Sequence, residues 1–102
     1  MHKVEFKVIK RCFEEEIAKE YGSEGIGLCP AHKDGDVFYS TGGKPNGLCD
    51  DAWMAMQHYV FALANNVETF YNGDWVKKPG TAICSCNDGL RPVIFKIERM
   101  EE

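Results

Sequence analysis

The sequence lacks a clustered basic surface. Its 12 Lys and Arg are outnumbered by 16 Asp and Glu, for a net charge of −4. Lys77-Lys78 form a pair, while Lys3, Lys7, Lys10 and Arg11 are scattered and lie near acidic residues. Nucleic-acid phosphates require concentrated positive charge, so nucleic acid is not expected as a partner. A long apolar run is also missing. The most apolar stretch, 52–64, is interrupted by Gln57 and His58 and is too short to span a bilayer. Met1-His2-Lys3-Val4-Glu5-Phe6 lacks the apolar segment of a signal peptide. The expectation is a cytoplasmic protein with no membrane partner. The chain has no phosphate-binding glycine loop of Walker or Rossmann type. It has no His-Glu-x-x-His, no Gly-x-Ser-x-Gly and no Cys-x-x-Cys either.

What is present begins with an ordinary globular composition, 44% hydrophobic and 27% charged over 102 residues. That supports a single domain over 1–102 with a modest core, which an oligomer would reinforce. The five cysteines are Cys12, Cys29, Cys49, Cys84 and Cys86. An odd count without an export signal argues against a secreted disulfide framework. In a reducing compartment these residues are thiols, metal thiolates or redox groups, and for each taken alone a buried apolar thiol is the stronger reading.

The pattern predicts a strand over 3–10, with Val4, Phe6 and Val8 on one face. A short amphipathic helix follows, with Phe13, Ile17 and Tyr21 as its apolar stripe and Gly22 as its end. Residues 22–28 read as a glycine-rich loop, 37–40 as a short strand and 41–47 as another loop. The main helix spans about 50–65, capped by Asp50 or Asp51, with Trp53, Met56, Val60, Leu63 and Ala64 as its apolar stripe. A second face carries Met54, His58 and Phe61, which predicts a homo-oligomer contact on this helix. A strand is expected at 67–71 and a tight turn at Asn72-Gly73. Strands at 81–86 and 93–99 are expected to form an antiparallel hairpin around Asn87-Asp88-Gly89. The fold class is therefore α+β: a small, mostly antiparallel sheet or partly closed barrel packed on one main helix, with a short extra helix.

Candidate chemistry centres on the cysteines. Alternation along a strand puts the sulfurs of Cys84 and Cys86 on one face, where two thiolates can join one tetrahedral metal if the strand end bends but cannot easily form a disulfide. Cys29-Pro30-Ala31-His32 has Cys-x-x-His spacing, and Cys49 precedes a helix N-terminus, where the dipole favours a thiolate. Cys29, His32, Cys49, Cys84 and Cys86 are thus the candidate ligands, for zinc or iron. Asp88-Gly89-Leu90-Arg91-Pro92 is a polar turn in which Asp88 pairs with Arg91, or Arg91 holds a carboxylate or phosphate of a ligand. Three functional readings follow. The first is a cysteine-based metal-binding or thiol-redox module. The second is an oligomeric binding or assembly module recognising a small anionic ligand or a protein partner through Asp88 and Arg91. The third is a small enzyme with Cys49 as nucleophile. His58 is either a base or ligand or, the stronger reading, a hydrogen-bonded core or interface histidine. Trp53, Tyr59, Phe61 and Trp75 either line an apolar ligand pocket or, the stronger reading, pack in the core.

Three segments carry a resemblance. They are Cys29-Pro30 with Gly35-Asp36-Val37-Phe38, then Gly47-Leu48-Cys49-Asp50-Asp51-Ala52-Trp53, then Asn87-Asp88-Gly89-Leu90-Arg91-Pro92-Val93-Ile94-Phe95-Lys96-Ile97-Glu98-Arg99. With these, the whole chain resembles a family of short uncharacterised prokaryotic proteins, many of them from anaerobes. The resemblance implies a small cytoplasmic domain and supplies no activity. It draws attention to Cys29, Cys49, the Cys84/Cys86 strand and the Asp88–Arg91 loop, and leaves Cys12 aside.

Overall fold

Alternating side chains make Val4–Arg11 the first strand, β1, with Val4, Phe6 and Val8 buried. The computed structural model describes residues 1–101. After β1 come helix α1 (Glu15–Tyr21), strand β2 (Val37–Ser40), helix α2 (Asp50–Ala64), and strands β3 (Thr81–Ser85) and β4 (Val93–Arg99). The four strands form one open antiparallel sheet in the order β2-β1-β4-β3. The architecture is α+β, and the sheet does not close into a barrel. Phe6 stands opposite Ile97 and Val8 opposite Phe95, so both central strands turn their apolar residues to the same face. The other face carries Glu5, Lys7, Lys96 and Glu98. A register shift between Val8 and Lys10 lets β1 bend where it meets the start of β4.

Helix α2 covers the apolar face. Ala52, Met56, Val60, Leu63 and Ala64 are buried and form one cluster with Val4, Phe6, Val8, Ala82, Phe95 and Ile97. Their spacing of three and four residues keeps them on one side of the helix. Both helix ends are anchored by distant residues. At the N-terminus the Cys49 N–H donates to His32 Nε2 (3.2 Å). At the C-terminus Arg99 Nη1 donates to the carbonyls of Leu63 (3.4 Å) and Val67 (3.1 Å), while Nη2 pairs with Glu68. A guanidinium there satisfies carbonyls that the helix leaves free and complements its negative end.

Three local expectations are corrected. The first helix forms but does not bury its predicted stripe: Ile17 is 47% and Tyr21 76% exposed, and Ala18 is its buried residue. The chain folds back onto Ala18 at Gly22, whose N–H donates to the Ala18 carbonyl (2.8 Å). A Cβ at Gly22 would lie 2.7 Å from that oxygen and 3.0 Å from Ile26, so the returning loop needs glycine there. The predicted strand at 67–71 is absent. Tyr71, Asn72 and Gly73 all have positive φ (52°, 63° and 87°) and form a short turn, which no strand accommodates. Finally, α2 is capped by neither aspartate. Cys49 is the N-cap and makes no side-chain capping bond, and Asp50 pairs with Lys44 (2.7 Å).

Candidate functional site

The bend in β1, the start of β4, the end of β3 and the N-terminus of α2 meet at one end of the sheet. Two loops close over this corner. The 22–36 segment returns from α1 and docks its turn on β1, with the Val8 N–H donating to the Asp36 carbonyl (2.9 Å) and the Gly35 N–H to the Val8 carbonyl (2.8 Å). Arg11 Nη1 holds the Cys29 carbonyl (3.3 Å) and the Arg11 N–H bonds Asp34 (3.0 Å), which fixes the Cys29–His32 stretch against the strand. The second loop is the β3–β4 turn. Cys86 and Val93 close it twice: the Cys86 N–H donates to the Val93 carbonyl (3.1 Å), and the Val93 N–H donates to Cys86 Sγ (3.3 Å).

Between these loops lies a cleft of about 180 Å³. Cys29, Cys49 and Cys86 line it, together with Asp51, Asp88 and Arg91; Pro30, Ala31, His32, Ala52 and Val93 complete the wall. All three cysteines are partly buried, all are free thiols, and all sit outside helices and strands. They come from three separate segments of the chain. Larger depressions elsewhere are open dents, such as the one of about 340 Å³ between α1 and Ile26, and their walls carry no thiol.

Arg91 is set in place by its own loop. Asp88 Oδ1 accepts the N–H groups of Leu90 (2.9 Å) and Arg91 (3.0 Å), and Oδ2 accepts Arg91 Nε (2.9 Å). These hydrogen bonds hold the Asp88 carboxyl below its usual pKa against a desolvation that pushes it up. The bond to Asp88 raises the Arg91 pKa, and the neighbouring Cys29 and Cys86 add to the rise. With Nε engaged, the Nη atoms of Arg91 have no partner among the described residues. Asp88 therefore positions Arg91, and Arg91 is the group left to meet a ligand.

Two predicted ligands stand apart from this arrangement. His32 borders the cleft but is 3% exposed, with its ring edge-on to Phe38 (5.2 Å) and Phe95 (5.8 Å). Its Nε2 lone pair already accepts the Cys49 N–H, which fixes the proton on Nδ1, facing Asp36 at 3.9 Å. Burial lowers the His32 pKa, and Asp36 only partly offsets it. As it stands, His32 holds the Cys49 backbone in position and has no nitrogen lone pair to offer a metal. Cys84 faces the core beneath α2 and is absent from the cleft wall. Desolvation pushes its thiol up to about 12. It shares the helix-covered side of the sheet with Cys86 but lies deeper along the strand. Among the described residues, no three His, Cys, Asp or Glu side chains converge closely enough to hold a metal ion as they stand.

Sequence reasoning named every thiol of the cleft but missed Asp51 as a wall residue and Arg11 as the anchor of Cys29. Asp51 read as a helix cap, and nothing local in the sequence ties Arg11 to a loop 18 residues away. No helix is long and apolar enough to cross a membrane among the described residues. Comparison with protein-family models, with curated proteins and with solved structures finds no significant match.

Proposed function

We propose that this chain is a small cytoplasmic thiol-redox protein whose working groups are Cys29, Cys49 and Cys86. The observation that carries the reading is their placement: three partly buried thiols from distant segments wall one small cleft beside an oriented guanidinium. All three also pack against the edge of the core, but unlike Cys84, which lies inside a strand and under the helix, they open onto the cleft. The three cleft thiols lie instead on irregular segments, where a sulfur can approach another without breaking a sheet or helix. A disulfide requires Cα atoms within about 7 Å and a matching dihedral, which loops can meet more readily than a strand.

The test is a redox titration in thiol–disulfide buffers, read by mass after alkylation. Two of the three cleft thiols should interconvert reversibly with a disulfide at about −320 to −180 mV, the span of cellular thiol buffers. Replacing either member of that pair by Ser should abolish the internal disulfide, while Cys84→Ala and Cys12→Ser should not. Persistence of all five thiols under oxidising buffer would refute the reading.

A metal-binding centre is the second reading, favoured by the presence of three thiols where a redox pair needs two. Zinc or iron would take Cys29, Cys49 and Cys86 as thiolate ligands and leave an open position. It would have to draw the sulfurs together. Near-stoichiometric metal in protein purified anaerobically without an affinity tag, lost in Cys49→Ser, would establish it. The homo-oligomer remains part of the proposal: Met54, His58 and Phe61 are exposed together along α2, away from the core, and form the contact expected of this helix. A monomer by light scattering at high concentration would remove it.

A further inference from the structure

The cleft carries charge of both signs. Arg91 lines it from one loop with its Nη atoms unengaged, and Asp51 lines it from the first turn of α2. Neither the Asp51 carboxylate nor the Arg91 Nη atoms have a partner among the described residues. Asp88, the other carboxylate on the wall, is consumed by Arg91 and by two N–H groups. A wall with one free cation, one free anion and three thiols is complementary to a ligand with a carboxylate, an ammonium and a sulfur. Size narrows the class further. At about 180 Å³ the space falls below the roughly 300–1,000 Å³ of a drug-sized ligand site, so it admits one arm of a small molecule and not a folded peptide.

We propose that the cleft binds the disulfide of a zwitterionic amino thiol, with cystine as the simplest example. Arg91 takes the carboxylate, Asp51 takes the ammonium, and the disulfide lies against the thiols. The assignment rests on the thiol-redox reading above. In the reaction a cleft thiolate, with its proton lost to solvent, attacks one ligand sulfur. The ligand S–S bond breaks, and one amino thiolate leaves and takes a proton. A second cleft thiol then attacks the protein sulfur of the mixed disulfide, forms an internal disulfide and releases the second amino thiol. The protein loses two electrons and two protons, and the ligand disulfide gains them as two thiols. The wall's charges choose the ligand, because a uniformly anionic disulfide meets Asp51 and a uniformly cationic one meets Arg91.

The experiment mixes anaerobically reduced protein with each of four disulfides: cystine, cystamine, 3,3′-dithiodipropionate and 2-hydroxyethyl disulfide. Oxidation is followed by intact mass, and each rate is divided by that of a free small thiol with the same disulfide. Cystine should exceed the other three by about tenfold or more, the scale of a charge-assisted contact. Arg91→Gln should erase its advantage over cystamine, and Asp51→Asn its advantage over dithiodipropionate. Because 2-hydroxyethyl disulfide carries neither charge, its rate in each variant reports thiol reactivity alone. Dividing the other rates by it separates lost recognition from an altered cleft, and a variant that still reacts with it has kept a folded cleft. Normalised rates within about twofold for all four disulfides would overturn the ligand assignment and leave the thiol reading standing. Failure of every disulfide to oxidise the protein would overturn both.

Discussion

Replacing His32 by Phe isolates one hydrogen bond. Phenylalanine keeps a ring against Phe38 and Phe95, so the packing loss is small. What it removes is Nε2, the acceptor for the Cys49 N–H. A partly buried N–H left without an acceptor costs about 1–3 kcal/mol. For a domain of this size that corresponds to a fall in Tm of about 5–20 °C. Urea unfolding followed by Trp53 and Trp75 fluorescence gives the difference directly, provided the slope is unchanged. Acid supplies the second arm. The folded-state pKa of His32 lies below its usual 6.5 because burial disfavours the imidazolium. As pH falls through 6.5 the unfolded chain binds this proton first, so wild type loses stability from there down to the lower folded value. Protonation also turns Nε2 into a donor facing a donor. His32→Phe has nothing to protonate, so its deficit should shrink between pH 8 and pH 5. A deficit below about 0.5 kcal/mol at pH 8, or one equal at both pH values, would refute the account of this bond.

Further expectations concern the core and the far end of α2. Arg99→Ala should cost about 2–3 kcal/mol, since it removes charge-assisted bonds to the Leu63 and Val67 carbonyls and the pair with Glu68; Arg99→Lys should recover about half, because an ammonium keeps the charge without the fork. Met56→Ala should cost about 2–5 kcal/mol by leaving a cavity at the centre of the core, checked by the same urea assay. Cys84 should resist alkylation in the folded protein at pH 8 while the cleft thiols label, and unfolding should release it. Its pKa, raised from the usual 9.0 to about 12, means that the unfolded chain deprotonates first. Stability should therefore fall as pH rises from 9 towards 12, and Cys84→Ala should lack that fall.

The elements legible in the sequence are those whose burial repeats locally. Val4, Phe6 and Val8 alternate, and Met56, Val60 and Leu63 recur by three and four, so β1 and α2 were readable without knowledge of their neighbours. Placing Cys29, Cys49 and Cys86 among the candidates was possible because of their chemistry. That they share one wall and Cys84 does not depends on how far β3 runs beneath α2, which no local spacing encodes. His32 misled for a related reason. Cys-x-x-His spacing describes two side chains, whereas the partner of His32 is the backbone N–H of a residue 17 positions later. The stripe Phe13-Ile17-Tyr21 had the right period on the wrong face, because the loop returning through Gly22 and Ile26 selects the side on which Ala18 lies.

Anchoring α2 at both ends has a consequence for motion. One end is tied to the 22–36 loop through His32 and the other to β4 through Arg99, while the Ala64 carbonyl also accepts the His2 N–H (2.9 Å). Fraying from either end therefore requires a long-range bond to break, so amide exchange in the middle of the helix should proceed through global unfolding. The segment from Ser23 to Ala31 has one internal backbone bond, from the Ile26 N–H to the Ser23 carbonyl (3.1 Å), and its amides should exchange orders of magnitude sooner. Breathing at this corner of the molecule then belongs to the Cys29 side. Cys49 stays with the slow-exchanging body as a stationary post, and Cys29 moves relative to it only when its carbonyl lets go of Arg11.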